Sequence, residues 1–200
     1  MNVQEASFRN RTEAGEQMLF DRGLSFVERA ATVAAAAAAE AEDVDQKGRF
    51  PKAAIDAARE RKLLGAQIPV AFGGFGASIY DITDMCYTLG RACSSTAMIY
   101  AMHQTKVACV VRHGHGIPWM ETMMRRVGRD QWLLASSTTE GQNGGNIRSS
   151  AAAVERNDAE ISLVRNATVI SYGAEADGIV TIARRNSDAA SSASGRPGRQ

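Results

Sequence analysis

The chain has 200 residues, enough for one large domain or two small ones around a sizeable core. Hydrophobic residues make up 44% of it, but 34 of these are alanine, so larger apolar side chains suffice without surplus. With 23 basic against 22 acidic side chains the net charge is +1, which excludes a strongly basic nucleic-acid surface and an acidic tail. No apolar run approaches the roughly 18 residues of a membrane span, and the polar start MNVQEASFRNRTE is no secretory signal. Cys86, Cys93 and Cys109 are odd in number and sit in apolar surroundings, which predicts reduced thiols in a cytoplasmic protein.

Helical patterning dominates up to about residue 130. Ser25 to Asp45 is alanine-rich without a breaker and predicts a long helix. Gly48-Arg49-Phe50-Pro51 predicts a loop with proline opening the next helix, which runs through Leu63-Leu64 and stops at Gly65 as a left-handed cap. Ile68-Pro69-Val70-Ala71-Phe72-Gly73-Gly74-Phe75-Gly76 is a glycine-rich connection. Ile79, Ile82, Met85, Cys86 and Leu89 then mark one face of an amphipathic helix. Ser94 to Arg112 starts on a cap-like serine and is apolar nearly all round, from Met98, Ile99, Tyr100 and Met102 to Val107, Cys109, Val110 and Val111. Such a helix is enclosed by others, which makes Met98 an expected core position. Pro118 opens a shorter helix through Val127.

Beyond Asp130 the signals are strand-like. Trp132-Leu133-Leu134-Ala135 is a short apolar run, Ile161, Leu163 and Val169 lie in β-type stretches, and Asn157-Asp158 predicts a turn. Gly178 to Ala183 is a further strand. From Asn186 to Gln200 the chain lacks apolar residues larger than alanine and is expected to be disordered. No internal repeat is present.

Several patterns invite chemistry and fail on spacing. Gly73-Gly74-Phe75-Gly76 lacks the third glycine of a dinucleotide-binding turn, has Pro69 inside the supposed strand, and reads better as an interhelical loop. His113 and His115 lie in a glycine-rich loop without ligands at zinc-like spacing, and His103 reads as a hydrogen-bonded core histidine. Ser136, Ser137 and Ser149 lack a nucleophile-elbow context. The informative stretch is Leu134-Ala135-Ser136-Ser137-Thr138-Thr139-Glu140-Gly141-Gln142-Asn143-Gly144-Gly145-Asn146. It leaves a strand with consecutive hydroxyls and enters a loop whose backbone lets a flat ring or phosphate approach. Alone, it reads first as a polar hairpin loop.

Four segments in order resemble the acyl-CoA dehydrogenase family. Phe50-Pro51 to Gly65, then Ile68-Pro69 and Gly73-Gly74-Phe75-Gly76, are similar to the family's helix, proline and glycine-rich turn. Cys93-Ser94-Ser95-Thr96-Ala97 resembles the small-residue entry to its central helix. Thr139-Glu140 with Gly144-Gly145 resembles the loop beside the flavin. Val169-Ile170-Ser171, followed by Ala176-Asp177 and Ala183-Arg184, resembles the strand stacked near the isoalloxazine and the strand after it. The resemblance covers about residues 20–185.

It implies an α+β fold. An N-terminal all-α helical bundle spans 1–130, a partial antiparallel β-barrel domain spans 131–185, and a disordered tail spans 186–200. It also implies that the family's C-terminal helical domain, with the catalytic glutamate, is missing, so no catalytic base is named and Glu140 is not promoted to that role. The implied cofactor is FAD, held by Ser137, Thr138, Thr139, Gly144, Gly145, Val169, Ile170 and Ser171. The implied reaction is α,β-dehydrogenation of an acyl-CoA or related small-molecule thioester, inactive in this chain alone, with flavin-dependent monooxygenation of the same fold as an alternative. A homo-oligomer is implied for the full-length fold, with no nucleic acid and no membrane span. The chain departs from the family at Gly141, Gly145 and Val169, where proline, serine and an aromatic are usual, and at Arg165 and Ala167, where glycine and lysine are usual. The contrasting possibility is a cofactor-free helical interaction module.

Overall fold

The computed structural model describes residues 24–140, 149–158 and 160–189. Among these, five α-helices precede four short strands: α1 Phe26–Lys47, α2 Lys52–Glu60, α3 Ile79–Gly90, α4 Ser94–His113, α5 Pro118–Asp130, then β1 Leu134–Ser137, β2 Val154–Asn157, β3 Glu160–Leu163 and β4 Gly178–Thr181. The chain is mostly helical with little sheet.

Local chemistry sets the ends of α1 and α3. Ser25 Oγ accepts the N–H of Glu28 while the Glu28 carboxylate accepts the N–H of Ser25 at 2.8 Å, and Ser78 with Asp81 repeats this capping box. Gly48 then leaves α1 at φ 59°. Ala30, Val33, Ala37 and Val44 form the buried apolar stripe of α1, and none of the four is larger than valine, which lets α2 and α3 pack close against it.

Two main cores result. Ile55, Leu63, Leu64, Ile82, Met85, Leu89, Tyr100 and Leu133 fill one; Ile68, Phe72, Val107, Val110, Met124, Val127 and Leu134 fill the other. Adjacent residues at the start of β1 thus enter different cores, as the alternation of an extended chain requires. The connection after α2 is buried although it is not helical, so its carbonyls need donors. One face of α4 supplies them. Tyr100 Oη donates to Leu63 O at 3.2 Å, Gln104 Nε2 to Leu63 O at 2.9 Å, and His103 Nε2 lies 2.8 Å from Leu64 O. His103 is therefore the hydrogen-bonded core histidine expected from sequence.

Four expectations are corrected. The left-handed residue after α2 is Lys62 at φ 56°, and α2 ends at Glu60 rather than Gly65. Gly65 serves close approach instead: a Cβ there would lie 2.8 Å from Gly128 Cα on α5. Cys93, not Ser94, is the N-cap of α4. Met98 is 61% exposed, because the buried side of α4 is Thr96, Tyr100, His103, Gln104, Val107 and Val110. Finally, the described strands make two separate pairs and not an antiparallel barrel. β1 and β4 run parallel, from Leu134 opposite Gly178 to Ser137 opposite Thr181, while β2 and β3 form an antiparallel hairpin.

The predicted Asn157-Asp158 turn joins that hairpin, with Asp158 at φ 51°. Val70–Phe72 is a 3-10 turn where the dinucleotide-binding pattern needs a strand. Asn186 to Ala189 form a turn in which the Ala189 N–H reaches Asn186 Oδ1 at 2.8 Å, and the tail expected to be disordered lies outside the described residues from 190 onward.

Candidate functional site

β1 carries Ser137, Thr138 and Thr139 out of the core in succession. Ser137 is 3% exposed and sits opposite Thr181, whose Oγ1 donates to Ser137 O at 2.9 Å. The hydroxyl of Ser137 is itself buried without a hydrogen-bond partner. Thr138 is half-buried, its Oγ1 3.3 Å from Ser136 Oγ, and Thr139 is exposed. Gly144 and Gly145 lie outside the described residues.

Val169, Ile170 and Ser171 lead into the short 3-10 turn Gly173–Glu175. Val169 is 65% exposed, while Ile170 and Ser171 are half-buried. Tyr172, directly after them, is held at φ 45° in the left-handed region that disfavours a bulky side chain. Two contacts offset that strain: its hydroxyl donates to Leu134 O at 3.0 Å and its ring packs on the first core. Burial pushes this hydroxyl up to about 12. Tyr172 thereby ties the 169–171 stretch to β1, the strand that delivers Ser137.

Glu140 is built into the floor of the region. One oxygen accepts the Ala151 N–H at 2.6 Å; the other accepts Ser150 Oγ at 3.0 Å and the Ala152 N–H at 3.3 Å. Arg165 Nη1 stands 2.9 Å from the same oxygen, in an ion pair whose side chains are 7% and 5% exposed. Burial alone would raise the carboxyl, but the Ala151 N–H, Ser150, the Ala152 N–H and Arg165 outweigh it and hold Glu140 below the ordinary carboxylate range. A carboxylate so committed is a poor proton acceptor. Beside it opens a cleft of about 460 Å³ lined by Glu140, Ala151, Ala152, Val164, Asn166, Ala167 and Thr168.

Two contributors were not legible as such. Arg165 registers in the sequence only as a departure from the family pattern. Asp177 accepts the Leu133 N–H at 2.7 Å and Arg59 Nη2 at 3.1 Å, stitching the entry of β4 to that of β1 and to α2. His113 and His115 are exposed, and among the described residues no His, Cys, Asp or Glu cluster could hold a metal ion. No helix among them is long and apolar enough to cross a membrane.

Residues 23–116 match the model of the acyl-CoA dehydrogenase N-terminal domain. A probable FMNH2-dependent monooxygenase of Pseudomonas putida is 36% identical over 96 residues, 46% of this chain and 23% of the relative. Cyclohex-1-ene-1-carbonyl-CoA dehydrogenase of Geobacter metallireducens is 28% identical over 142 residues, 70% of this chain and 37% of the relative. The FMN-bound dibenzothiophene monooxygenase TdsC of Paenibacillus shares the fold, with a TM-score of 0.69 at 19% identity over 79% of this chain and 39% of that one. Each of these matches spans less than half of the relative's own length.

Proposed function

The chain is a divergent member of the acyl-CoA dehydrogenase family, and from that premise we propose that it forms the helical portion and the start of the β domain of a flavin-dependent monooxygenase working in the cytoplasm. The proposed division is residues 1–130 for the helical part and 131–185 for the β part. The observation that carries the flavin reading is Ser137. A buried hydroxyl without a partner costs about 1–3 kcal/mol, and this one closes a strand whose next two residues are also hydroxyl-bearing. A ligand edge with hydrogen-bonding atoms would recover that cost.

Ser137, Thr138 and Thr139 on one side and Ile170 and Ser171 on the other are the residues that would hold such an edge. Val169, aliphatic and exposed, would cover it without ring stacking. When bound, a flavin supplies the redox chemistry, accepting hydride in a dehydrogenase or passing electrons to dioxygen in a monooxygenase. The protein's own part is orientation: β1 and β4 fix the hydroxyls, and Tyr172 fixes the opposing stretch.

Oxygen chemistry is the first reading because the FMNH2-dependent relative and the FMN-bound structure both belong to that class. On this reading the flavin is FMN. The second reading, favoured by the 142-residue match to a CoA-thioester dehydrogenase, is α,β-dehydrogenation with FAD and an acyl-CoA substrate. The protein produced from its native gene is titrated with FMN and FAD by fluorescence quenching, then mixed anaerobically with acyl-CoA thioesters. Tighter FMN binding without bleaching is expected. Bleaching by a thioester transfers the assignment to the dehydrogenase, and absence of any flavin binding overturns both in favour of an interaction module.

A further inference from the structure

Glu140 and Ser150 to Ala152 are ten to twelve residues apart in sequence and meet at one carboxylate, so these two points of the chain are fastened together there. Among the described residues, Arg165 is a cation at that fastening. Its Nη1 alone makes the contacts: to Glu140 Oε1 at 2.9 Å, to Ser150 Oγ at 3.0 Å and to Ile182 O at 2.5 Å. Its Nε and Nη2 are buried without hydrogen-bond partners. A guanidinium used through one nitrogen behaves as a point charge, which is the role an ammonium fills. The clamp also joins three parts of the β region, because Ile182 follows β4 and Arg165 follows β3.

We propose that Arg165 is a positioning residue which, through Glu140, pins the end of the Ser137 to Thr139 hydroxyl run against Ser150 to Ala152 and so holds Thr138 and Thr139 where a flavin edge is bound. The proposal rests on the flavin reading above. Glu140 is contiguous with both threonines, so a swing of its backbone moves them directly. Without Arg165 the buried carboxylate loses this counter-charge, and its hold on Ser150 to Ala152 loosens.

Arg165→Met, Arg165→Lys and Glu140→Gln are compared with the parent in two measurements: hydrogen–deuterium exchange at the Ala151 and Ala152 amides, and FMN affinity by fluorescence quenching. Arg165→Met is expected to speed exchange at both amides and to weaken FMN about tenfold. Arg165→Lys restores both, since a single nitrogen suffices; rescue by lysine separates the charge at this point from general packing. Glu140→Gln removes the charge and keeps one acceptor oxygen in place of two, so it is expected to speed exchange at one or both amides and to lose affinity. Parent-like exchange and affinity in Arg165→Met overturn the proposal, as does a lysine variant no better than methionine. If the parent binds no flavin, the positioning role falls with the flavin reading, while faster exchange in Arg165→Met still marks the clamp as structural. The two failures are therefore distinguishable.

Discussion

His103 Nδ1 accepts the backbone N–H of Leu134 at 3.0 Å, so a histidine at the middle of α4 holds the first residue of β1. Its other nitrogen faces Leu64 O at 2.8 Å, which fixes the neutral tautomer with hydrogen on Nε2. Protonation would set two N–H groups against each other. Burial, above all, lowers this imidazole from 6.5 to about 4, with Arg59 lowering it further and the Leu64 carbonyl and Asp177 partly opposing. The unfolded chain therefore binds the proton first, and stability is lost as pH falls from about 6.5 toward 4. The expected loss is about 3 kcal/mol across that window. Denaturant midpoints at pH 7, 5.5 and 4.5 measure it, and His103→Gln should flatten the slope; an unchanged slope would place the proton elsewhere.

Glycines near α5 serve backbone contact. A Cβ on Gly128 would come 2.8 Å from Phe72 O, and one on Gly74 would come 2.1 Å from Ile68 O. Neither neighbour is a flexible side-chain tip, so Gly128→Ala and Gly74→Ala should each cost roughly 1–3 kcal/mol or more. Gly48 meets nothing within 4 Å but stands at φ 59°, so Gly48→Ala should cost only about 1 kcal/mol. Thermal melts of the three variants rank these costs, and equal shifts would show that conformation, not contact, governs all of them.

Met98 supplies a sharper contrast. Being 61% exposed, it should accept aspartate within about 0.5 kcal/mol. Val107, fully buried, should lose several kcal/mol on the same change. Thermal unfolding separates the two, and a collapsed Met98→Asp variant would mean that this face of α4 is covered in solution.

Those helices were legible because their signals are local: the alanine-rich run from Ser25 and the apolar face of Ile79, Ile82, Met85, Cys86 and Leu89 each mark a helix from neighbouring residues alone. The orientation of α4 was not. Its buried side carries Tyr100, His103 and Gln104 because the non-helical chain at Leu63-Leu64 needs donors, a demand made from roughly 40 residues away. Apolar counting therefore turned the helix toward Met98. Gly65 misled for a related reason, since its absent side chain answers Gly128 on α5. In the β region the turn at Asn157-Asp158 was readable from its residues, whereas periodicity carries no information on strand direction, and β1 pairs with β4 in parallel. At the site, the hydroxyl run of Ser137 to Thr139 stood out, but Arg165 acts only through its meeting with Glu140 across the fold.

Ser137 allows the flavin assignment to be tested by two effects of opposite sign. Its hydroxyl is buried and unpartnered, so the ligand-free chain bears the cost of keeping it dry. Ser137→Ala removes that cost while leaving the backbone pairing with Thr181 untouched. The ligand-free variant should therefore be as stable as the parent or more so, by up to about 1 kcal/mol. FMN binding should move the other way, because the hydrogen bond that rewarded the hydroxyl is gone, with a loss of about 0.5–1.5 kcal/mol, or roughly two- to twelvefold in Kd. Thr139→Val with Ser171→Val should add a comparable loss per hydroxyl, since both sit on the same proposed edge. Differential scanning fluorimetry with and without FMN gives both signs in one experiment. A Ser137→Ala chain that is stabilised yet binds FMN as the parent does would remove Ser137 from the binding edge and leave its hydroxyl a plain packing defect.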